Sequence, residues 1–130
     1  MNDNLIALAQ DADIMVHQVI DLAYFKRHGA GRAELERMAA SLTDVTQVGN
    51  VAERARVGEL ILSHYLPAEP DAISDAEWAE RAGHGYSGTT TAGTDGLRRA
   101  LPGRDALSAG RQGQWPFGSV RARWSRPSSP

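Results

Sequence analysis

An apolar run that ends in a histidine and a proline is the feature that most limits how this chain can fold. Residues 60–67 read Leu-Ile-Leu-Ser-His-Tyr-Leu-Pro, which predicts a strand that Pro67 brings to an end. Open α/β sheets bind ligands at the carboxyl ends of their strands, and imidazole is the commonest metal ligand. His64 is therefore a candidate ligand, and the alternative is a structural histidine that bonds to neighbouring backbone.

The segments on either side of this strand predict helices. Apolar residues fall at positions 45, 48, 51, 52 and 55 of the segment 44–55, the spacing of a helix with one buried face. After the strand, residues 74–77 read as a capping box that opens a short helix carrying Trp78, which we expect to be a packing anchor. Residues 88–92 and 97–101 predict a hairpin across the turn 93–96. The alternation of helix and strand predicts an α/β fold.

The composition of the chain changes at residues 102–103. Residues 1–102 hold nine basic and fifteen acidic residues, a net charge of −6, whereas residues 103–130 hold five arginines and one acid, a net charge of +4. Gly, Ser, Pro and Arg dominate beyond this boundary, with no sustained period of 2 or 3.6. We therefore expect a folded unit over 1–102 and a disordered tail over 103–130.

The arginines of this tail allow two interpretations. Arg121, Arg123 and Arg126 surround Trp124, with Trp115 and Phe117 nearby, so the segment could contact phosphates and stack on the bases of a single-stranded nucleic acid. The alternative is a solvated extension without a specific partner. A net charge of −2 for the whole chain does not favour nucleic-acid binding by the folded unit.

Five segments, in their order along the chain, resemble the C-terminal part of metallo-β-lactamase-fold hydrolases, in the branch that contains ribonuclease Z and its arylsulfatase-like relatives. They are residues 4–9, 12–17, 43–52, 60–67 and 85–88, so the resemblance covers roughly 2–101. It implies one βα layer of an αβ/βα sandwich, with the final hairpin at its end. It also implies a two-zinc hydrolase of phosphodiesters or other esters, in which His64 is a metal ligand.

The chain departs from this family in the residues that hold the metals. The family motif His-X-His-X-Asp-His is absent, and no two histidines are closer than eleven residues. A further histidine and a bridging aspartate are expected upstream, and Asp3 is not assigned that role. Leu42 stands where relatives carry the histidine of Ser-His-Thr. A catalytic zinc takes about three protein ligands and a water, so we expect no activity from this chain alone and assign no catalytic residue.

The other three histidines receive structural roles. His17 ends the apolar run Ile14-Met15-Val16, and we expect it to support the cleft, with metal ligation as the alternative. His28 and His84 lie in glycine-containing segments that predict loops.

Two functions of different classes remain open. The first is a zinc-dependent hydrolase of which this chain is the C-terminal half, with the rest supplied by a missing N-terminal half. The second is a non-catalytic module that dimerises or binds a partner through its exposed sheet edge and apolar faces. The chain contains no cysteine, no N-terminal leader and no apolar run long enough to span a membrane, which predicts a cytoplasmic protein without a membrane partner.

Overall fold

A computed structural model describes residues 3–69 and 71–101 of the chain. In these residues five helices and three strands form. Their order is α1 (Asp3–Leu8), β1 (Ile14–Ile20), α2 (Leu22–Arg27), α3 (Arg32–Ser41), α4 (Val45–Ala55), β2 (Glu59–Leu66), α5 (Asp75–Gly83) and β3 (Thr89–Ala92).

The three strands form one parallel sheet in the order β1-β2-β3. Parallel neighbours need crossover connections, and these are supplied by α2, α3 and α4 between β1 and β2 and by α5 between β2 and β3. β1 pairs with β2 along its whole length, whereas β3 pairs with residues 59–62 only. The predicted α/β class is thus confirmed, and β2 occupies the predicted position.

Helix α4 forms where the apolar period predicted a helix. Asp44 caps its N-terminus by accepting a hydrogen bond from the backbone N–H of Thr46 at 2.9 Å, which satisfies one otherwise unpaired donor. The helix ends at Arg56, whose backbone is left-handed with φ 52°. Its buried face is formed by Val45, Val48, Gly49, Val51, Ala52 and Ala55.

The core lies between one face of the sheet and helices α1, α4 and α5. Met15 and Val19 of β1 and Leu60 and Leu62 of β2 point into it. Trp78 is 2% exposed, and its ring stacks on that of Tyr65 with centroids 5.5 Å apart, so the predicted packing anchor is confirmed. The predicted cap of α5 is also present, because Ser74 Oγ accepts a hydrogen bond from the N–H of Glu77 at 3.3 Å.

The predicted hairpin at residue 93 is wrong in its second half. Strand β3 forms, but residues 97–101 are not a strand. Instead the chain turns after β3 and crosses the sheet face that is remote from the helices. The side chain of Arg99 donates to Glu59 Oε1 at 2.9 Å and to Thr91 Oγ1 at 3.2 Å. This ionic attachment to β2 and β3 replaces the backbone pairing of a hairpin.

Two further differences from the sequence predictions concern β1 and the two helices that follow it. Strand β1 continues to Ile20, so His17 lies in the middle of the strand and not at its end. Helices α2 and α3 were not anticipated, and neither buries a residue fully. The arginines and aromatic residues predicted to form the tail lie outside the described residues. Within the described residues, no helix is long and apolar enough to cross a membrane.

We predict that Gly49→Ala destabilises the protein. A Cβ at this position would collide with the carbonyl oxygen of Ala82 and lie 2.6 Å from that of His84, because α4 approaches the end of α5 closely. Alanine normally stabilises a helix interior by about 1 kcal/mol relative to glycine, whereas the overpacking here should cost about 1–3 kcal/mol. Urea unfolding measures the difference.

The matched control for this prediction is Gln47→Ala, an exposed position of the same helix, which should change the free energy of unfolding by less than about 0.5 kcal/mol. A Gly49→Ala variant as stable as the wild type would mean that the two helices do not meet at this distance.

Candidate functional site

His64 lies in a β-bulge near the carboxyl end of β2. The pairing of β1 with β2 passes from Gln18–Ser63 directly to Val19–Tyr65, so His64 is the extra residue of the bulge. Its backbone φ is 50°, a left-handed conformation that is uncommon for residues other than glycine. Bulges change the direction of side chains and are frequent beside functional sites. Here the bulge leaves His64 exposed to solvent at the edge where parallel sheets bind ligands.

His17 faces the helix side of β1 and is about half-buried. Its Nε2 atom lies 3.2 Å from the hydroxyl oxygen of Thr43, which immediately precedes the cap of α4. Burial lowers the pKa of the His17 imidazole below its ordinary value, since desolvation disfavours the charged ring. The ring is therefore neutral near pH 7, the form in which a histidine can bind a metal or accept a proton.

The two histidines share an open cavity at this end of the sheet. Its volume is about 380 Å³, and it is lined by Val16, His17, Gln18, Ser63 and His64. His17 also lines a second cavity of about 520 Å³ together with Leu42, Thr43 and Gln47. Leu42, at the position where the resembled family carries a histidine, thus borders the same cavity as His17 and contributes only an apolar surface there.

The residues of this cavity do not by themselves fit a zinc site. Structural zinc sites use four protein ligands and catalytic sites use about three. Within residues 3–69 and 71–101, no group of three or more His, Cys, Asp or Glu residues is arranged to hold a metal ion. Two imidazoles with a glutamine and a serine fall short of that set, because amide and hydroxyl groups are weak ligands for zinc.

His28 and His84 lie in turns, as the sequence predicted, and both are outside this cavity. His28 follows α2, where its Nδ1 lies 2.8 Å from the carbonyl oxygen of Tyr24 and its ring stacks on the ring of Tyr24. His84 is exposed at the end of α5. Neither residue lines the cavity shared by His17 and His64.

Asp21 is the residue at this end of the sheet that sequence reasoning missed. It directly follows β1 and is 1% exposed. Its Oδ1 caps α2 by accepting from the N–H of Tyr24 at 3.0 Å, and its Oδ2 lies 3.0 Å from a guanidinium nitrogen of Arg81. That Oδ2 atom accepts no well-aligned hydrogen bond, so its charge is compensated by the guanidinium at short range. An aspartate between an apolar strand and a helix is a typical cap signal, which could have identified it.

Comparison with known proteins finds matches among solved structures. No protein-family model and no curated protein matches it. Among solved structures, it is similar to the metallo-beta-lactamase fold protein YhfI from Bacillus subtilis, with a TM-score of 0.48 and 18% sequence identity. The similarity covers 70% of this chain and 32% of YhfI, so the chain spans about a third of that protein.

We predict that His17 makes the folded protein less stable as the pH falls. In the unfolded chain His17 takes up a proton near its ordinary pKa of 6.5, whereas the folded protein resists protonation until a lower pH. The unfolded state therefore binds more protons in this interval, and the free energy of unfolding falls with the pH. Urea unfolding of the wild type and of His17→Gln at about pH 7.5 and about pH 5.5 measures the effect.

The His17→Gln variant should lose less stability between these two pH values than the wild type does. Leu8→Ala serves as the control, because Leu8 is exposed and has no titratable group, and it should keep the wild-type dependence. Equal losses for the wild type and His17→Gln would show that His17 is not desolvated in the folded protein.

Proposed function

We propose that this chain is the C-terminal part of a metallo-β-lactamase-fold hydrolase and that His64 is one ligand of a zinc site whose other ligands come from outside residues 3–101. On this proposal the chain has no hydrolytic activity alone. The substrate class is a phosphodiester or another ester, as the family resemblance implies.

The proposal rests on the exposure and the backbone conformation of His64. A histidine that served only the fold would be packed or bonded to backbone, whereas His64 is exposed on a bulge with an uncommon backbone conformation. Such conformations persist where the surrounding structure enforces them and cluster at functional sites. The neutral ring of His17 lines the same cavity, so the chain offers imidazole nitrogen, which zinc prefers.

The need for outside ligands follows from the composition of the cavity. One exposed imidazole and one half-buried imidazole provide at most two nitrogens, fewer than a catalytic zinc requires. The described residues also leave the remote face of the sheet partly uncovered, since Val16 on that face is 64% exposed. A second layer of structure over this face would supply both burial and ligands.

We predict that added Zn²⁺ binds the isolated chain weakly and at His64 first. In a titration followed by NMR, the imidazole resonances of His64 should shift at a lower Zn²⁺ concentration than those of His28. The same titration of His64→Ala should lose this early response, and His28→Ala is the matched control that should keep it. Elemental mass spectrometry of the purified chain should find well below one zinc per chain.

Two outcomes would contradict the proposal. If His64 responds no earlier than His28, then His64 is not a metal position. If the purified chain retains one zinc that is lost in His64→Ala, then the site is complete within the chain and needs no outside ligands.

The second candidate function is a non-catalytic module that dimerises. It is favoured by the apolar residues on the remote sheet face, where Val16 is 64% and Leu97 is 37% exposed. Both border one cavity of about 330 Å³ with Ile14 and Ile61. Exposed apolar groups that adjoin one another are typical of interaction surfaces, and Leu42 in place of a histidine is consistent with a role without catalysis.

For this second function we predict metal-independent self-association. Sedimentation over a range of concentrations in the presence of a chelator should show a dimer, and Val16→Lys should weaken it by burying a charge. Leu8→Lys is the control, because Leu8 is an 85% exposed apolar residue of α1 outside this face. A wild-type protein that stays monomeric at every concentration would exclude dimerisation as its function.

A further inference from the structure

The outer edge of β1 has free backbone groups. At its end, Ile20 donates its N–H to the carbonyl of Thr43 at 3.0 Å, and the next residue, Asp21, donates towards β2 to Leu66 at 2.8 Å. Successive residues of a strand point to opposite sides, so Ile14, Val16 and Gln18 share the outward direction of Ile20. Within residues 3–69 and 71–101, the single bridge between Ile20 and Asp44 is the only backbone pairing on this edge.

The first half of this edge, at Ile14 and Val16, lacks the usual protection of exposed strands. Natural edge strands are blunted by charges, prolines, bulges, very short length or a covering loop. Residues 41–44 cover the second half, where the side-chain amide of Gln18 donates to the carbonyl oxygen of Ser41 at 3.2 Å. Strand β1 is seven residues long, contains no charged residue and no proline, and its bulge lies on the partner strand β2. An edge of this kind accepts a further strand through main-chain hydrogen bonds.

The chain itself leads to this edge after β3. Residues 93–99 cross the remote sheet face, held by the ionic bond of Arg99 to Glu59. Ala100 then lines a cavity together with Asp13 and Ile14, at the start of β1. The following 29 residues, 102–130, lie outside the described part of the chain and start from this point.

Residues 102–130 have no sustained period as a whole, but one six-residue segment among them has the sequence pattern of a half-buried strand. Residues 119–124 read Ser-Val-Arg-Ala-Arg-Trp, in which Val120, Ala122 and Trp124 alternate with polar residues. This period of 2 places one apolar and one basic face on an extended chain. The eighteen residues 101–118 can span roughly 60 Å when extended, so the linker does not restrict the approach to β1.

We propose that residues 119–124 add to the outer edge of β1 as a fourth strand, with their apolar face beside Val16. The free backbone groups of Ile14 and Val16 receive partners, and the apolar side chains extend the remote sheet face. Charge favours this occupant over a second copy of the chain, because the segment 103–130 carries +4 and residues 1–102 carry −6, whereas a second copy has a net charge of −2. Because residues 119–124 belong to the same chain as β1, their effective concentration at its edge is high.

The test uses paired cysteines in the full chain, which contains no native cysteine. Val16→Cys is combined in turn with cysteine at each position from 119 to 124, and intramolecular disulfide formation is measured under mild oxidation. The cross-linking yield should alternate, with yields at 120, 122 or 124 several times those at 119, 121 and 123, because only one face of an added strand lies beside Val16.

Hydrogen exchange provides a second measurement on the full chain without cysteines. The amides of Ile14 and Val16 should exchange at least about tenfold more slowly than in Ala122→Pro, the factor expected when about 90% of molecules are docked. The matched control Ala109→Pro, outside the proposed strand, should retain the protection. Met15 and Val19 bond towards β2 and should stay protected in all three proteins.

Three outcomes would overturn the proposal. Equal cross-linking at all six positions would mean that no strand forms, and unprotected amides at 14 and 16 in the full chain would mean that this part of the edge is free. Disulfides formed only between molecules would assign the edge to a second copy. None of these measurements depends on zinc, so this proposal and the proposed hydrolase site can fail separately.

Discussion

The parallel pairing of β1 with β2 is the interaction on which the rest of the structure depends. These two strands supply Met15, Val19, Leu60 and Leu62 to the core, and the helices pack on the face that they define. The same pairing places His64, near the carboxyl end of β2, beside the middle of β1, so His17 and His64 border one cavity although 46 residues separate them in the sequence. Open α/β sheets bind ligands at the carboxyl ends of their strands.

The hydrophobic pattern of the sequence accounts for the part of the fold that could be predicted. The period of α4 and the apolar run of β2 predict their structures because the buried positions of both elements require apolar side chains. Helices α2 and α3 were not predicted, because neither contains a fully buried residue and their sequences therefore lack a strong hydrophobic period. The segment after β3 was misassigned because its turn signal resembles a hairpin, whereas the ion pair of Arg99 with Glu59, forty residues apart, decides its path.

The sequence predicted His64 as a residue of the candidate site but did not predict the backbone geometry that exposes it. The sequence singled out His64 from its place after an apolar run, and the bulge that exposes it has no signal in the local residue types. The role of His17 depended on the length of β1, which a three-residue apolar run underestimated. Asp21 was overlooked because charged residues are rarely buried, and its compensation by Arg81 is visible only once α5 has packed beside the strand end.

The bulge at His64 separates what the core requires from what the cavity requires. Because the bulge accommodates the extra residue, Tyr65 still pairs with Val19 and faces the core, where it packs on Trp78. The core therefore does not require a residue between Ser63 and Tyr65, since deleting His64 would leave a regular strand with Tyr65 on the same face. The core does not require the imidazole either, and asparagine, aspartate or glycine would adopt the same backbone conformation. Descendants of this chain can accordingly lose the histidine while keeping the fold intact, so selection on function alone would preserve it.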